Sequence, residues 1–127
     1  MKPRPDSLAE VARRVLDQHS FQMELADFLD AFRENPSGEA LQEEPVPLDG
    51  QVAEGRRLDA FLAATGESLA MKHDLPVSRW MFDPRRSLDV PSFVCRTRAG
   101  RLFLLKDSPA AFKSRNLLVT GNALERV

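Results

Sequence analysis

The residues that could do chemistry in this chain are few. It has two histidines, His19 and His73, in different segments, and a single cysteine, Cys95. No set of His, Cys, Asp and Glu residues has the spacing of metal ligands, so we expect no metal and no cofactor. Cys95 paired with a histidine could act as a nucleophile. We favour the alternative, in which Cys95 is buried beside Phe93 and Val94 and packs as a small hydrophobic residue.

Carboxylates spaced three or four residues apart could supply a general acid and a general base. Glu24, Asp27, Asp30 and Glu34 have this spacing. The solvated outer face of an amphipathic helix has the same spacing, and we favour that interpretation. The six glycines are scattered rather than grouped in a phosphate-binding loop, and tyrosine is absent. We therefore expect no enzymatic activity.

Basic and aromatic residues interleaved in the C-terminal third give the strongest functional signal. They are Arg85, Arg86, Arg96, Arg98, Arg101, Lys106, Lys113 and Arg115, with Trp80, Phe82, Phe93, Phe103 and Phe112 between them. Basic side chains neutralise phosphates and aromatic rings stack on bases, so a nucleic-acid surface is one hypothesis. We favour the alternative, in which the aromatic rings form the core of this half and the charges contact a protein.

The predicted protein-binding residues fall at two places in this half, and they are Arg85, Arg86, Lys113, Arg115 and Asn116. Two roles are open for Arg115. It could bind an acidic residue of the second or third helix and clamp two oppositely charged halves together, or it could contact a partner through its planar guanidinium. We favour the clamp, because the acidic half needs a counter-charge.

Charge is balanced over the whole chain but not along it. The net charge is −7 from Met1 to Met71 and +6 from Lys72 to Val127. We expect the two halves to pack together within a single domain of residues 1–127, which is an ordinary domain length. A lone cysteine suits a reducing compartment, and no apolar run approaches the ~20 residues of a membrane span. We therefore expect a cytoplasmic protein that does not contact a membrane.

Apolar residues at helical spacing predict three helices, at residues 7–18, 20–34 and about 50–73, in a mainly α fold. Ser7 and Glu10 match a capping box at the start of the first helix. A flexible tail over residues 1–6 and a connecting loop over residues 35–50 complete this part of the chain. The helices are predicted to share one core, made of Phe21, Leu25, Phe28, Leu29, Leu58, Phe61, Leu62 and Leu69.

The C-terminal half is predicted to be irregular. Prolines every seven or eight residues after Asp74 forbid a long helix there, and the aromatic residues between them should fill gaps between helices. Residues 92–106 are either a β-hairpin that turns at Ala99-Gly100 or two short helices broken at Gly100, and the context favours helix. The remaining predictions are a short helix from Ser108-Pro109 to Ser114, an extended Leu117–Val119 and a last helical turn at Asn122–Arg126.

A set of short motifs runs through most of the chain after the first helix. They are Phe28-Leu29-Asp30-Ala31-Phe32, Glu44-Pro45, Ala60-Phe61-Leu62-Ala63-Ala64-Thr65-Gly66-Glu67-Ser68-Leu69-Ala70, Leu75-Pro76-Val77 with Trp80, Ser108-Pro109-Ala110-Ala111-Phe112-Lys113-Ser114-Arg115-Asn116-Leu117-Leu118-Val119, and Asn122-Ala123-Leu124. In these motifs the chain resembles a group of small uncharacterised bacterial proteins that we loosely associate with toxin–antitoxin loci. The resemblance implies a non-catalytic, antitoxin-like partner and brings no active site with it. We expect a non-enzymatic protein-binding partner, and the alternative is a small nucleic-acid-associated protein.

Overall fold

The computed structural model describes residues 3–124 and is mainly helical, which confirms the predicted fold class. Six helices occur in this part of the chain: α1 Leu8–Leu16, α2 Phe21–Glu34, α3 Glu39–Gln42, α4 Gly55–Lys72, α5 Arg98–Asp107 and α6 Ala110–Lys113. Two 3-10 turns, Arg79–Phe82 and Pro84–Arg86, precede the short strands β1 Ser92–Phe93 and β2 Leu117–Leu118.

Serine caps start the first two helices. The Ser7 hydroxyl accepts from the Glu10 amide at the start of α1, and the Ser20 hydroxyl accepts from the Met23 amide at the start of α2. The capping box at α1 is half formed, because the Glu10 carboxylate accepts from Arg13 instead of from the Ser7 amide. The helix bounds predicted for this pair are confirmed to within two residues.

The acidic outer face predicted for α2 is wrong at Glu24. This carboxylate is buried and lies 3.2 Å from Nη1 of Arg14 and 3.2 Å from Nδ1 of His19. Arg14 of α1 is consequently largely covered. Hydrogen bonds and opposite charge can compensate a carboxylate for its burial, so helical spacing alone does not place it in solvent.

Helix α4 begins five residues later than predicted. Residues 50–54 form turns, with left-handed backbone at Gly50 (φ 80°) and Glu54 (φ 56°). The buried carboxylate of Asp59 holds this arrangement by accepting from the amides of Leu48 and Asp49 at 2.8 and 3.0 Å. Burial raises the pKa of Asp59, and these two hydrogen bonds oppose the shift.

The connecting segment 35–50 is held against the rest of the molecule. It contains α3, and the side chains of Leu41 and Leu48 are fully buried. The indole Nε1 of Trp80 donates to the carbonyl oxygen of Leu41 over 3.1 Å. Arg86 donates to the carbonyl oxygen of Pro45 over 2.5 Å. Side chains of the C-terminal half therefore fix the backbone of this segment.

The predicted core is confirmed. Leu25, Phe28, Leu29, Leu62 and Leu69 are buried in one cluster, and the other three predicted members, Phe21, Leu58 and Phe61, pack against it partly buried. The absence of a side chain at Gly66 allows Met81 to pack closely against helix α4, because an added Cβ would lie 2.9 Å from the Met81 methyl carbon. Side chains from α1, α2, α4 and the first 3-10 turn therefore meet in this cluster.

Neither alternative for residues 92–106 is correct as stated. Strand β1 pairs in parallel with β2, and α5 then continues through Gly100 without a break. The Thr97 hydroxyl accepts from the Gly100 amide over 3.0 Å and caps α5. Once the helix is capped at Thr97, Ala99-Gly100 lies in its first turn and cannot form a hairpin turn.

The chain after α5 has the predicted elements, but the predicted N-cap of α6 is wrong. The extended Leu117–Val119 is confirmed and is buried, and α6 lies within the predicted short helix. Ser108 is not the N-cap of α6. Its hydroxyl instead bonds to Val119, accepting from the amide and donating to the carbonyl oxygen, at the C-terminal end of α5. Residues 121–124 form turns. The rest of the predicted last helical turn lies outside the described residues.

At the start of the chain, the predicted flexible tail includes residues 1 and 2, which lie outside the described residues. Within its remainder, Pro5 is buried and the Arg4 guanidinium pairs with the carboxylate of Glu34. The first described residues are therefore in contact with α2.

Candidate protein-binding surface

Helix α5 is attached to the molecule along one narrow line. Leu104 is its one buried side chain, and the Ser108 hydroxyl joins its C-terminal end to Val119. At 3.6 residues per turn, Leu104 lies opposite an arc of about 160° that contains Arg98, Leu102, Phe103, Leu105 and Lys106. Most of the circumference of α5 therefore faces solvent.

That exposed arc carries three large apolar side chains between basic ones. Leu102 is 55% exposed, Phe103 59% and Leu105 41%. Val90 and Val94, in the segment that leads to α5, are also exposed. Five large apolar side chains in one stretch of sixteen residues differ from the isolated exposed hydrophobes of an ordinary surface. Exposed apolar side chains grouped in this way are typical of a protein contact.

The same stretch is strongly basic. Arg96, Arg98, Arg101 and Lys106 are all exposed, and residues 92–106 contain no carboxylate side chain. The Arg101 guanidinium lies over the Phe93 ring, with Cζ 5.2 Å from the centroid, and it donates to the carbonyl oxygen of Cys95. We call these nine residues the α5 surface: Val90, Val94, Arg96, Arg98, Arg101, Leu102, Phe103, Leu105 and Lys106.

Cys95 lies at the edge of this surface. The prediction of a buried small hydrophobe is wrong, because the residue is partly exposed. Its Sγ lies 3.4 Å from the Thr97 hydroxyl, and this hydrogen bond, together with the Thr97 amide, lowers the pKa of the thiol. Its backbone and that of Thr97 lead directly into the first turn of α5.

The predicted binding residues Arg85 and Arg86 have different environments. Arg85 is exposed and pairs with Asp83 over 2.8 Å. Arg86 is buried beneath Trp80, with Cζ 5.0 Å from the ring centroid, and Nη1 lies 3.7 Å from the Asp59 carboxylate. Arg86 thus links the second 3-10 turn to α4 from a buried position, and its Nη1 makes no hydrogen bond among the described residues.

Arg115 is buried and has the geometry of the clamp. Its Nη1 donates to the Glu67 carboxylate over 2.6 Å and to the carbonyl oxygen of Ala111 over 2.7 Å. Its Nη2 donates to the carbonyl oxygen of Met81 over 2.6 Å. Phe82, which we expected to fill a gap between helices, is instead exposed beside this guanidinium.

The remaining two predicted residues lie apart from these. Lys113 is exposed at the end of α6. Asn116 has left-handed backbone (φ 64°), and its side-chain amide donates to the carbonyl oxygen of Leu88 over 2.6 Å. Arg86 and Arg115 line one surface groove of about 350 Å³, whereas Lys113 and Asn116 do not line it. The five residues therefore do not form one continuous surface.

The α5 surface was not found from the sequence. Its hydrophobic residues were assigned to a hairpin or to the core, because apolar runs this short fit either. Thr97 was the available signal. A threonine three residues before Gly100 caps a helix, and a helix places the apolar run and its basic neighbours on one exposed face.

Comparison of the chain with protein-family models, curated proteins and solved structures gives no match. Within residues 3–124, no group of His, Cys, Asp and Glu side chains is arranged to hold a metal ion. In the same part of the chain, no helix is both long enough and apolar enough to span a membrane.

Proposed function

We propose that this chain is a non-enzymatic, cytoplasmic protein-binding module that binds an acidic amphipathic helix through the α5 surface. The observation that carries the proposal is the exposure of Leu102, Phe103 and Leu105 on one arc of a helix, among basic side chains, with the one carboxylate of α5, that of Asp107, accepting from the Gly121 amide. Such an arc fits the apolar face of a second helix. The flanking arginines and lysine fit glutamates or aspartates beside that face.

A second copy of this chain fits the surface less well. Two copies paired symmetrically through α5 would bring Arg98, Arg101 and Lys106 of each copy towards the same like-charged residues, which is unfavourable. An acidic helix meets the charge requirement that a second copy does not.

A nucleic acid is the alternative occupant, since exposed arginines bind phosphates. Base stacking requires free aromatic faces, however, and Arg101 already lies over the Phe93 ring. This leaves Phe103 as the one well-exposed ring of the α5 surface, beside two leucines and two valines. Aliphatic side chains contribute to packing against a helix but offer no face on which a base can stack.

The resemblance to small bacterial proteins of toxin–antitoxin loci suggests which protein the helix belongs to. An antitoxin-like role requires the partner to be a toxin encoded beside this chain, and a nuclease or nucleotidyltransferase is the class we expect. Co-expression with the product of the neighbouring gene tests this extension. An antitoxin-like chain should form a stable complex with that product and restore the growth of cells that the toxin alone arrests.

The test of the proposed surface is a titration followed by NMR. The probe is an acidic peptide of 18 residues with leucines at i, i+3, i+4 and i+7 and glutamates beside them. A peptide of the same composition, with its leucines at alternate positions, serves as the control. Saturable shifts confined to residues 90–107 with the first peptide alone would support the proposal.

Three other outcomes would overturn it. Equal binding of both peptides would show that charge alone drives the contact. Tighter binding of labelled single- or double-stranded DNA or RNA, with a steep loss of affinity as salt rises, would favour the nucleic-acid alternative. Self-association through α5, seen by sedimentation, would assign the surface to a second copy.

A further inference from the structure

A cavity of about 180 Å³ opens on the side of the molecule formed by the C-terminal ends of α2 and α4. Its apolar lining comes from three elements. Leu29 belongs to α2, Leu69 to α4 and Phe112 to α6, and Ala123 and Leu124 close it from the last described turn. An apolar cavity of roughly 150 Å³ in another protein holds benzene, so this cavity is large enough for about six carbon atoms.

Among the described residues, the side chains that give this cavity its polar lining are cationic or neutral. They are Arg33, Lys72 and His73, with the hydroxyl of Ser68, and within residues 3–124 no carboxylate lines the cavity. Lys72 is exposed and has no ion-pair partner among residues 3–124. Arg33 donates to the carbonyl oxygen of Leu124 over 2.7 Å and pairs through Nη1 with the Asp30 carboxylate over 3.4 Å, and these contacts fix its side chain beside the cavity.

The negative ends of α2 and α4 favour cations at these positions but do not account for the apolar cavity beside them. Lining of this kind, apolar with a few convergent polar groups, is typical of a small-molecule site. A ligand that fits both the apolar lining and the cationic side chains has an apolar tail of about six carbons and one anionic head group.

We propose that this cavity binds a small carboxylate with an apolar tail. The tail lies against Leu69 and Phe112, and the carboxylate lies between Lys72 and Arg33. This site is separate from the α5 surface, since the cavity has none of its residues in its lining. The protein would then have a ligand site as well as a protein-binding surface, and either could exist without the other.

Sodium hexanoate, 1-hexanol and hexylamine test the proposal, because the three share one tail and differ in the charge of the head group. Hexanoate should bind saturably and shift the amides of residues 68–73 and 121–124. We expect 1-hexanol to bind about tenfold more weakly, since a charge-assisted hydrogen bond is lost, and hexylamine to bind more weakly still.

Two variants separate the head-group contact from the cavity. Lys72→Met removes the charge but keeps an unbranched side chain, and should weaken hexanoate about tenfold while leaving 1-hexanol unchanged. Ser68→Leu places a larger side chain in the cavity and should abolish binding of both. Arg79→Met, at an exposed basic residue outside the cavity and outside the α5 surface, is the control and should change neither affinity.

The proposal is overturned if hexanoate does not saturate, if 1-hexanol binds as tightly, or if Lys72→Met has no effect. Shifts that appear at α5 rather than at residues 68–73 would also overturn it. None of these outcomes alters the peptide titration, so failure here is distinguishable from failure of the proposed protein-binding surface.

Discussion

The guanidinium of Arg115 donates to the carboxylate of Glu67 over 2.6 Å, and both side chains are largely covered. Glu67 belongs to the half of the chain with a net charge of −7, and Arg115 to the half with a net charge of +6. The same guanidinium donates to the carbonyl oxygen of Met81. One buried residue therefore ties α4, the first 3-10 turn and the segment before β2 together.

Replacing Arg115 with alanine should destabilise the fold. The change leaves the Glu67 carboxylate and the Met81 carbonyl oxygen without their donor, and we expect a loss of about 3 kcal/mol in the free energy of unfolding. Urea denaturation measures it. Lys113→Ala, an exposed basic residue nearby, is the matched control and should change stability by less than about 0.5 kcal/mol. If Arg115→Ala had the stability of the wild type but lost partner binding, Arg115 would instead contact the partner.

The core cluster gives a second stability prediction. Phe28 is fully buried there, so Phe28→Ala should cost about 3–5 kcal/mol through lost burial and the cavity it leaves. Met23 lies on the same helix but is well exposed, and Met23→Ala should cost less than about 1 kcal/mol. Similar losses for the two variants would mean that the two faces of α2 are wrongly assigned.

Gly55, at the start of α4, has no room for a side chain. A Cβ on this residue would lie 2.0 Å from the carbonyl oxygen of Leu48, and backbone cannot move aside as a flexible side chain can. We expect Gly55→Ala to cost about 3 kcal/mol in thermal or urea unfolding. At Gly38 the nearest atom to an added Cβ is 3.7 Å away, so Gly38→Ala should stay within about 1 kcal/mol of the wild type. A harmless Gly55→Ala would contradict the close packing of residues 48–55.

The ion pair between Asp83 and Arg85 predicts a pH dependence. The hydrogen bonds that the Arg85 guanidinium and the Arg85 backbone amide donate to the carboxylate lower the pKa of Asp83 from 3.8 to about 2. A folded-state pKa below the unfolded value means that the pair stabilises the fold above about pH 4, and that this stability is lost as the pH falls towards 2. The difference in unfolding free energy between wild type and Asp83→Asn should therefore be constant above about pH 5 and shrink below pH 4.

The same comparison in an Arg85→Gln background provides the control. Without the guanidinium, the pKa of Asp83 should lie closer to its ordinary value, and the difference should shrink less. If the difference in unfolding free energy between wild type and Asp83→Asn did not change with pH, the ion pair would not stabilise the fold in the way proposed.

Patterns with a helical period predicted the helices well. Ser7 and Ser20 are local caps followed by long apolar stripes, so α1 and α2 needed no tertiary information. The start of α4 could not be predicted in this way. It depends on Asp59, whose carboxylate reaches back about ten residues to the Leu48 and Asp49 amides. A contact of that range leaves no periodic signal in the sequence.

The candidate sites were harder to predict than the helices. Arg86 looks like a surface residue in the sequence, yet it is buried beside Trp80 and donates through Nη2 to the carbonyl oxygen of Pro45, while its Nη1 has no hydrogen-bond partner among the described residues. Leu102 and Phe103 look like core residues, yet both are exposed because α5 buries one side chain, Leu104. Residue type gave the wrong side of the surface in these three cases, since burial here depends on which partners the fold provides, whereas the buried clamp favoured for Arg115 has the expected geometry.

The central claim is that the exposed apolar arc of α5 binds a protein helix. The most direct test measures the affinity of the acidic amphipathic peptide, by fluorescence anisotropy, for wild type, Phe103→Ser and Phe82→Ser. The two phenylalanines are similarly exposed, but Phe82 lies outside the α5 surface. We expect Phe103→Ser to weaken binding at least about tenfold with unchanged unfolding free energy, and Phe82→Ser to bind within about twofold of wild type. Equal affinities for Phe103→Ser and wild type would contradict the claim.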